Sequence, residues 1–327
     1  MDSMLRRLAH GPAIPLATAL IIFVIVLVQA LALWKSRAET WVQATRSAEN
    51  ILGTLAMSIE RNFDLIELSM AGVEDALALP GLTVMPPEVR HLLMFDRATG
   101  TRFLGSMLVL DEDGSIFFDS GSVVPREGNF ADRDYFVAQR EPGVGTFLSA
   151  PYASRLRKHD PSIGLSRRRS REDGSFNGII LAAIRIAFFK SLFDKVQLGP
   201  GSIVALVRTD GTMIYRYPST DGNGNVGTKM GMTPVMQSLL TEPDKPMTGR
   251  SKLDGIERYY VHKRIGHFPL VLTVGFSVAG VYADWNTQAI ALSLLTLGVC
   301  AVLALMVLAL KRALVRSYEM EEQLEHM

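Results

Sequence analysis

The sequence predicts an α+β molecule, with two α+β modules in tandem behind a long N-terminal helix, flanked by two transmembrane helices. Three observations predict it. Two uncharged apolar runs stand near the ends of the chain. A helix-period stripe follows the first of them. A pattern of apolar strand, Asp-Gly turn and second strand then occurs twice, near residue 113 and near residue 210.

The first run, Pro12 to Trp34, carries no charge and one amide, Gln29. It supplies the about 20 apolar residues that a bilayer core requires of a helix. Trp34 and Trp41 fall at or beyond its outer end, where indoles favour the interface. A cleaved signal peptide is the rival reading, with Arg6 and Arg7 as its basic start and Ala30-Leu31-Ala32 as its cleavage site. Signal peptides use apolar stretches of about 7–15 residues, and this run is longer.

The second run, Thr287 to Leu310, is also uncharged and has no polar stripe, which argues against a core helix. Cys300 inside it reads as a small hydrophobe. Lys311, Arg312 and Arg316 follow closely, whereas Asp284 precedes it, so the C-terminus is expected in the cytoplasm. Two spans put the N-terminus on the same side. The expected parts are a cytoplasmic N-terminus at 1–11, spans at 12–34 and 287–310, a stalk helix at 35–79, a first module at 80–195, a second module at 196–286 and a cytoplasmic linker helix at 311–327.

Composition narrows the function. Lys+Arg 34 against Asp+Glu 33 argues against a nucleic-acid surface spread over the molecule. A single cysteine excludes an internal disulfide and a Cys-based zinc site. The six histidines show no metal-ligand spacing, so no metal or cofactor is expected. Gly222 to Gly227 spells GNGNVG, yet it neither leaves a strand directly nor opens a helix, and it reads as a loop. No nucleophile elbow is recognisable.

From Val42 to Leu79 the apolar positions Ile51, Leu55, Ile59, Ile66, Met70, Val73 and Leu77 form one helical stripe, which Pro80-Gly81 ends. This helix serves either a dimer stalk or packing on its own sheet. Strand-like runs follow around Asp113-Gly114 and Asp210-Gly211, and GIERYYVHKRI with PLVLTVGFSV reads as a further antiparallel pair.

Five stretches in order carry a family likeness: NFADRDYFVAQR, FLSAPY, IGLSRRRSREDGSFNGIILAAI, VRTDGTMIYRYP and DGIERYYVHKRIGHFPLVLTVGFSVAGVYADW. Residues 40–286 resemble the double Cache (PAS-like) extracytoplasmic sensors of bacterial diguanylate cyclases and hybrid histidine kinases. The resemblance implies an inner-membrane protein whose first periplasmic module, 80–195, is membrane-distal and binds a small ligand, whose second, 196–286, is membrane-proximal, and which signals through the second span. It implies ligand contacts at Arg133, Asp134 and Tyr135 in the DRDYF motif, Tyr152 in the APY motif, and Ser166 and Arg168 on the following strand. Amino-acid-binding members carry R-x-W-Y, where this chain reads Arg133-Asp134-Tyr135-Phe136.

The planar fork of Arg suits a carboxylate, and Tyr adds a flat wall with a polar tip. Asp132 reads as the N-cap of the helix at DRDYF, and Phe136 as core. Asp132 and Asp134 could also hold Arg133 or receive an amine. Residues 155–171 hold Arg155, Arg157, Lys158, Arg167, Arg168, Arg169 and Arg171 against Asp160 alone. That cluster points to a small organic anion as ligand, or else to a solvated basic face. Strand alternation puts Arg167 and Arg169 on one face, and Ser166 and Arg168 on the other.

The tail KRALVRSYEMEEQLEHM has a helical pattern and resembles the linker before a cyclase domain. The chain holds no GGDEF-type signature and no histidine-kinase ATP site. The expectation is therefore a homodimeric sensor that belongs to a longer protein, with a diguanylate cyclase as output and membrane lipid around its spans. A histidine kinase, or a non-catalytic membrane-anchored adaptor, is the alternative.

Overall fold

The computed structural model describes residues 13–95, 104–231, 233–242 and 245–325. Expectations for the N-terminal residues 1–12, Arg6 and Arg7 included, lie outside the described residues. By its contacts the chain divides into two units. One comprises the residues up to Thr45 and from Ala279 onward, the other Arg46–Val278.

Helix α1, Ala13–Leu77, runs unbroken through the expected first span and the stalk. Its one proline, Pro15, sits in the first turn, where no intrahelical bond is lost. After α1, Gly81 takes a left-handed φ of 79°, and Leu82–Val84 forms a single 3-10 turn. Helix α7, Ala283–Glu325, is the last element, and both long helices are apolar enough to cross a membrane. In the first unit, Phe23 is 62% exposed and Leu295 66%, the opposite of a core helix. The unit is joined by aromatic contacts: Trp41 stacks on Tyr282 with centroids 6.1 Å apart, and the Arg37 guanidinium lies 4.8 Å from the Tyr282 ring centre.

The second unit holds two antiparallel sheets. After α2, Pro87–Phe95, the first sheet is built from β1 (Leu104–Leu110), β2 (Ile116–Asp119), β3 (Phe147–Leu148), β4 (Tyr152–Ala153), β5 (Pro161–Ser170) and β6 (Phe176–Arg185). A short helix, α3 (Asp134–Val137), lies between β2 and β3. Helix α4, Ala187–Phe193, leads to the second sheet, of β7 (Ile203–Arg208), β8 (Met213–Tyr217), β9 (Met247–Arg250), β10 (Glu257–Arg264) and β11 (Leu270–Ser277). Helix α5, Pro234–Thr241, precedes β9, and the four-residue α6, Val278–Val281, follows β11.

The strand orders are β2-β1-β6-β5-β3 and β8-β7-β11-β10-β9. The two are one topology: a hairpin, then a late hairpin inserted beside its first strand, then an early strand at the far edge. Both opening hairpins turn where Asp-Gly was read. Gly114 and Gly211 take φ of 85° and 81° there, which glycine adopts without strain. Asp111 accepts two backbone N–H groups across its turn and Asp210 accepts one, a side-chain clasp on the loop.

The stripe of α1 buries itself against its own unit. Leu55, Ile59, Ile66, Met70 and Val73 are buried, and Ile51 and Leu77 are half-buried. Phe63, one turn after Ile59 on the same face, is fully buried, with ring centres 4.9 Å from Phe268 and 6.4 Å from Phe189. One stretch of helix thus anchors α4 and the β10–β11 turn together.

Candidate ligand-binding site

On the face of the first sheet turned away from α1, Leu108, Leu110, Ile179 and Leu181 form an apolar floor, against which Phe130, Tyr135 and Phe136 pack. Gly164 lies directly beneath Tyr135. A Cβ there would sit 3.1 Å from the tyrosine ring and 2.9 Å from Leu181. The missing side chain is what lets the phenol settle onto the strand.

At the rim, Arg133, Tyr135 and Tyr152 come together. The rings of Tyr135 and Tyr152 are 5.3 Å apart, and the Arg133 guanidinium lies 5.1 Å from the Tyr152 centre. Arg133 donates Nη2 to the Ala153 carbonyl at 3.0 Å, and its buried Nε has no partner among the described residues. Burial pushes the Tyr135 phenol far up, and pushes Tyr152 up to about 12 against the pull of Arg157 and Arg133. Both therefore stay protonated and can donate to an anion.

Asp134 accepts the Tyr135 N–H on Oδ1 and the Ala150 N–H on Oδ2, both at 2.8 Å. It ties the start of α3 to the segment before Tyr152 and positions both tyrosines. Ser166 lies wholly buried under α3 and donates its hydroxyl to the Tyr135 carbonyl at 2.9 Å. Arg168 sits further along the strand, where its Nη1 donates to the carbonyls of Gln139 and Arg140 and its guanidinium lies 4.9 Å from the Phe176 centre. The structure thus gathers Arg133, Tyr135 and Tyr152 at one opening, puts Ser166 beneath them, and takes Arg168 to the far end of α3.

Two expectations change. Asp132 does not cap the helix: α3 begins after Arg133, and Asp132 receives two hydrogen bonds from Arg155 instead, at 2.7 and 2.6 Å. A capping carboxylate would have to give up that bidentate pair. The basic run is also no single anion-attracting surface. Arg155 pairs with Asp132, Arg171 with Glu112, and Arg167 reaches Glu67 and Glu74 on α1. Alternation along β5 sends Arg167 to α1 and Ser166 to α3, so the cluster splits between opposite faces.

Sequence reasoning missed a network beside the site. Asp119 accepts a bidentate pair from Arg126 at 2.6 and 2.8 Å. Arg126 and Arg157 both donate to the Ser106 hydroxyl, and Arg157 also donates to Ser162 at 2.8 Å. Gly105 leaves the space that the Arg157 guanidinium fills, since a Cβ would lie 2.4 Å from its Cζ. Only Arg157 had been singled out, as one of a run. The GNGNVG segment is a loop, as read, clasped by Asp221 Oδ1, which accepts from the N–H groups of Asn223 and Asn225.

Comparison with known proteins finds the same architecture in extracellular domains of known structure. A family profile described as dCache_1_like, histidine kinase sensor domain, matches residues 187–275. The extracellular domain of rpHK1S-Z16, described as a histidine kinase, is similar at TM-score 0.60 and 24% identity, covering 74% of this chain and 99% of that one. The Campylobacter jejuni chemoreceptor Tlp3 ligand-binding domain, in complex with 4-methylisoleucine, aligns at TM-score 0.53 and 12% identity, over 74% of this chain and 94% of that one. The ligand-binding domain of the Pseudomonas aeruginosa PAO1 chemoreceptor PctB, in complex with L-Gln, aligns at TM-score 0.52 and 14% identity, over 76% and 98%. No curated protein matches in sequence. The segment between the two apolar helices has the double Cache sensor fold: two PAS-like sheets in tandem behind one long helix.

Proposed function

We propose that the chain is a signal-transduction sensor of the bacterial inner membrane. The double Cache segment faces the periplasm, and both termini lie in the cytoplasm. The distal module (within 80–195) takes a small organic anion at Arg133, Tyr135 and Tyr152. The proximal module (within 196–286) leads into the second span. The observation that carries this reading is the place of the fold in the chain, between two helices that each carry an uncharged run whose apolar side chains face outward. An arginine with an unpartnered Nε beside two neutral phenols suits a carboxylate better than an amine. Ser166 and Arg168 act by positioning α3, and Asp134 by holding Tyr135 to the segment before Tyr152.

A ligand shifts such a receptor only by its differential affinity for two states. Dimerisation through α1 would couple those states across the membrane. Met57, Leu65 and Leu68 are 70%, 43% and 65% exposed and support an apolar contact along the outer face of the stalk. The family profile and rpHK1S-Z16 both point to a histidine kinase as output, which makes it the preferred reading over the cyclase expected from the tail.

The test is a carboxylate and amine panel on the full chain in lipid nanodiscs, read by melting temperature. A carboxylate that stabilises the wild type but not Tyr152→Ala supports the site. Stabilisation by amines alone overturns it. In-frame coding sequence past codon 327 separates the outputs: a kinase region, a GGDEF region, or a stop, which supports the adaptor.

A further inference from the structure

The second sheet holds a polar row that the distal site does not use. Ala205 on β7 is paired with Arg216 on β8 and with Thr273 on β11, and Thr273 is paired with His262 on β10. Cross-strand partners share a face, so Arg216, Ala205, Thr273 and His262 form one line across four strands. All three polar members are at least nine-tenths buried. Arg216 Nε and Nη1, Thr273 Oγ1 and both His262 ring nitrogens find no hydrogen-bond partner among the described residues. Buried polar atoms are almost always bonded, so this many orphans in one row require an explanation.

Charge points the same way. The Arg216 and Arg258 side chains are 3% and 2% exposed, and both bond to Asp254. Two buried guanidiniums against one carboxylate leave one positive charge without a bonded counter-ion among the described residues. Asp254 Oδ1 and Oδ2 take both terminal nitrogens of Arg258, whose Nε donates to the Gly201 carbonyl, while Arg216 spends only Nη2 on it. Arg216 thus keeps Nε and Nη1, which point to different sides of the guanidinium, without an acceptor among the described residues. Over Ala205, the small member of the row, lies a cavity of about 50 Å³. Arg216, Thr273 and Tyr260 line it on the polar side, and Ile203, Met213 and Met236 on the apolar side. Exposed Arg250 and Lys252 stand at its edge and favour anions approaching from solvent.

We propose that the second module is itself a receptor site, for a short-chain monocarboxylate of two or three carbons. The carboxylate accepts from Arg216 Nη1 and from the Thr273 hydroxyl, and the methyl or ethyl end lies against Ile203 and Met236. The cavity holds roughly four water-sized groups, the count of heavy atoms in acetate. Acids much larger than these do not fit. The protein would then hold two carboxylate sites, one in each module.

The experiment uses the full chain in nanodiscs with sodium acetate and sodium propionate, against sodium chloride and methylammonium chloride at equal ionic strength. A rise in melting temperature of about 3 °C or more at 10 mM acid, absent with chloride, is expected. Ala205→Leu fills the cavity and abolishes the rise. Thr273→Val weakens acid affinity at least fivefold, read by line broadening of 13C-labelled acetate. Tyr152→Ala leaves the effect intact, so loss of the distal reading does not carry this one with it. No rise with either acid, an unchanged rise in Ala205→Leu, or a rise with methylammonium overturns the proposal. Should Ala205→Leu fail to fold, the nearly isosteric Thr273→Val decides alone: unweakened acetate binding overturns it.

Discussion

The two sheets share one strand order and treat their buried polar groups in opposite ways. In the first, the carboxylate at the sheet edge meets one arginine: Asp119 is fully buried, and Arg126 is 33% exposed, so water completes its solvation. The face behind it is filled by aromatic side chains, and the guanidinium of the candidate site stands at the rim. In the second, Asp254 meets two arginines that water hardly reaches, and empty space remains over Ala205. The fold therefore dictates neither polarity nor filling of the face beyond the stalk helix. Those follow from which side chains occupy a few equivalent positions.

That contrast can be broken at its strongest point first. Asp254→Ala strands two buried guanidiniums, and losing one partner of a buried pair costs about 3–5 kcal/mol. Burial raises the Asp254 carboxyl, but hydrogen bonds from Arg258 and the Ile256 N–H outweigh it and hold it well below the ordinary range. Hydrogen exchange resolved by peptide is expected to show β7, β8, β10 and β11 deprotected more than β1 and β6. Equal deprotection of both sheets would remove the distinction.

A smaller effect comes from His262. Burial pushes its imidazole down to about 4. Between pH 6.5 and about 4 the unfolded chain binds a proton that the folded chain refuses. Stability from this residue is therefore full above pH 6.5, falls as pH drops, and levels off below about 4. The total is about 3 kcal/mol. His262→Leu should flatten that limb in denaturant titrations at stepped pH, and an unchanged slope would mean that the ring is hydrated in solution.

Asp119→Ala should cost about 2 kcal/mol, less than Asp254→Ala because Arg126 can turn to solvent. A chemical-denaturation midpoint checks the order of the two. Smallest of all is Asp132→Ala: its pair with Arg155 is 61% and 44% exposed, and such pairs contribute less than about 1 kcal/mol. A loss above 2 kcal/mol would show that this pair also holds the loop that carries Arg133.

Local patterns were legible from the chain. Asp113-Gly114 and Asp210-Gly211 act within a few residues, through backbone freedom and an Asp side chain that clasps its own loop. The stripe on α1 was legible because its period is that of the helix. Failures arose where a residue had distant partners to choose from. Asp132 suited a cap by type, but Arg155, 23 residues on, offered two hydrogen bonds. The basic run was contiguous in sequence and was divided by strand alternation. Arg157 finds Ser106 from 51 residues away, and no spacing announces that.

Two uncharged stretches, a helical stripe and repeated turns are properties of neighbouring residues, and the sequence by itself determined them. Tertiary structure alone decided that Arg216, Ala205, Thr273 and His262 stand in one row, that two arginines share Asp254, and that Gly164 makes room for Tyr135. Sheet register sets these meetings, and register is a sum over many pairings that no single segment contains.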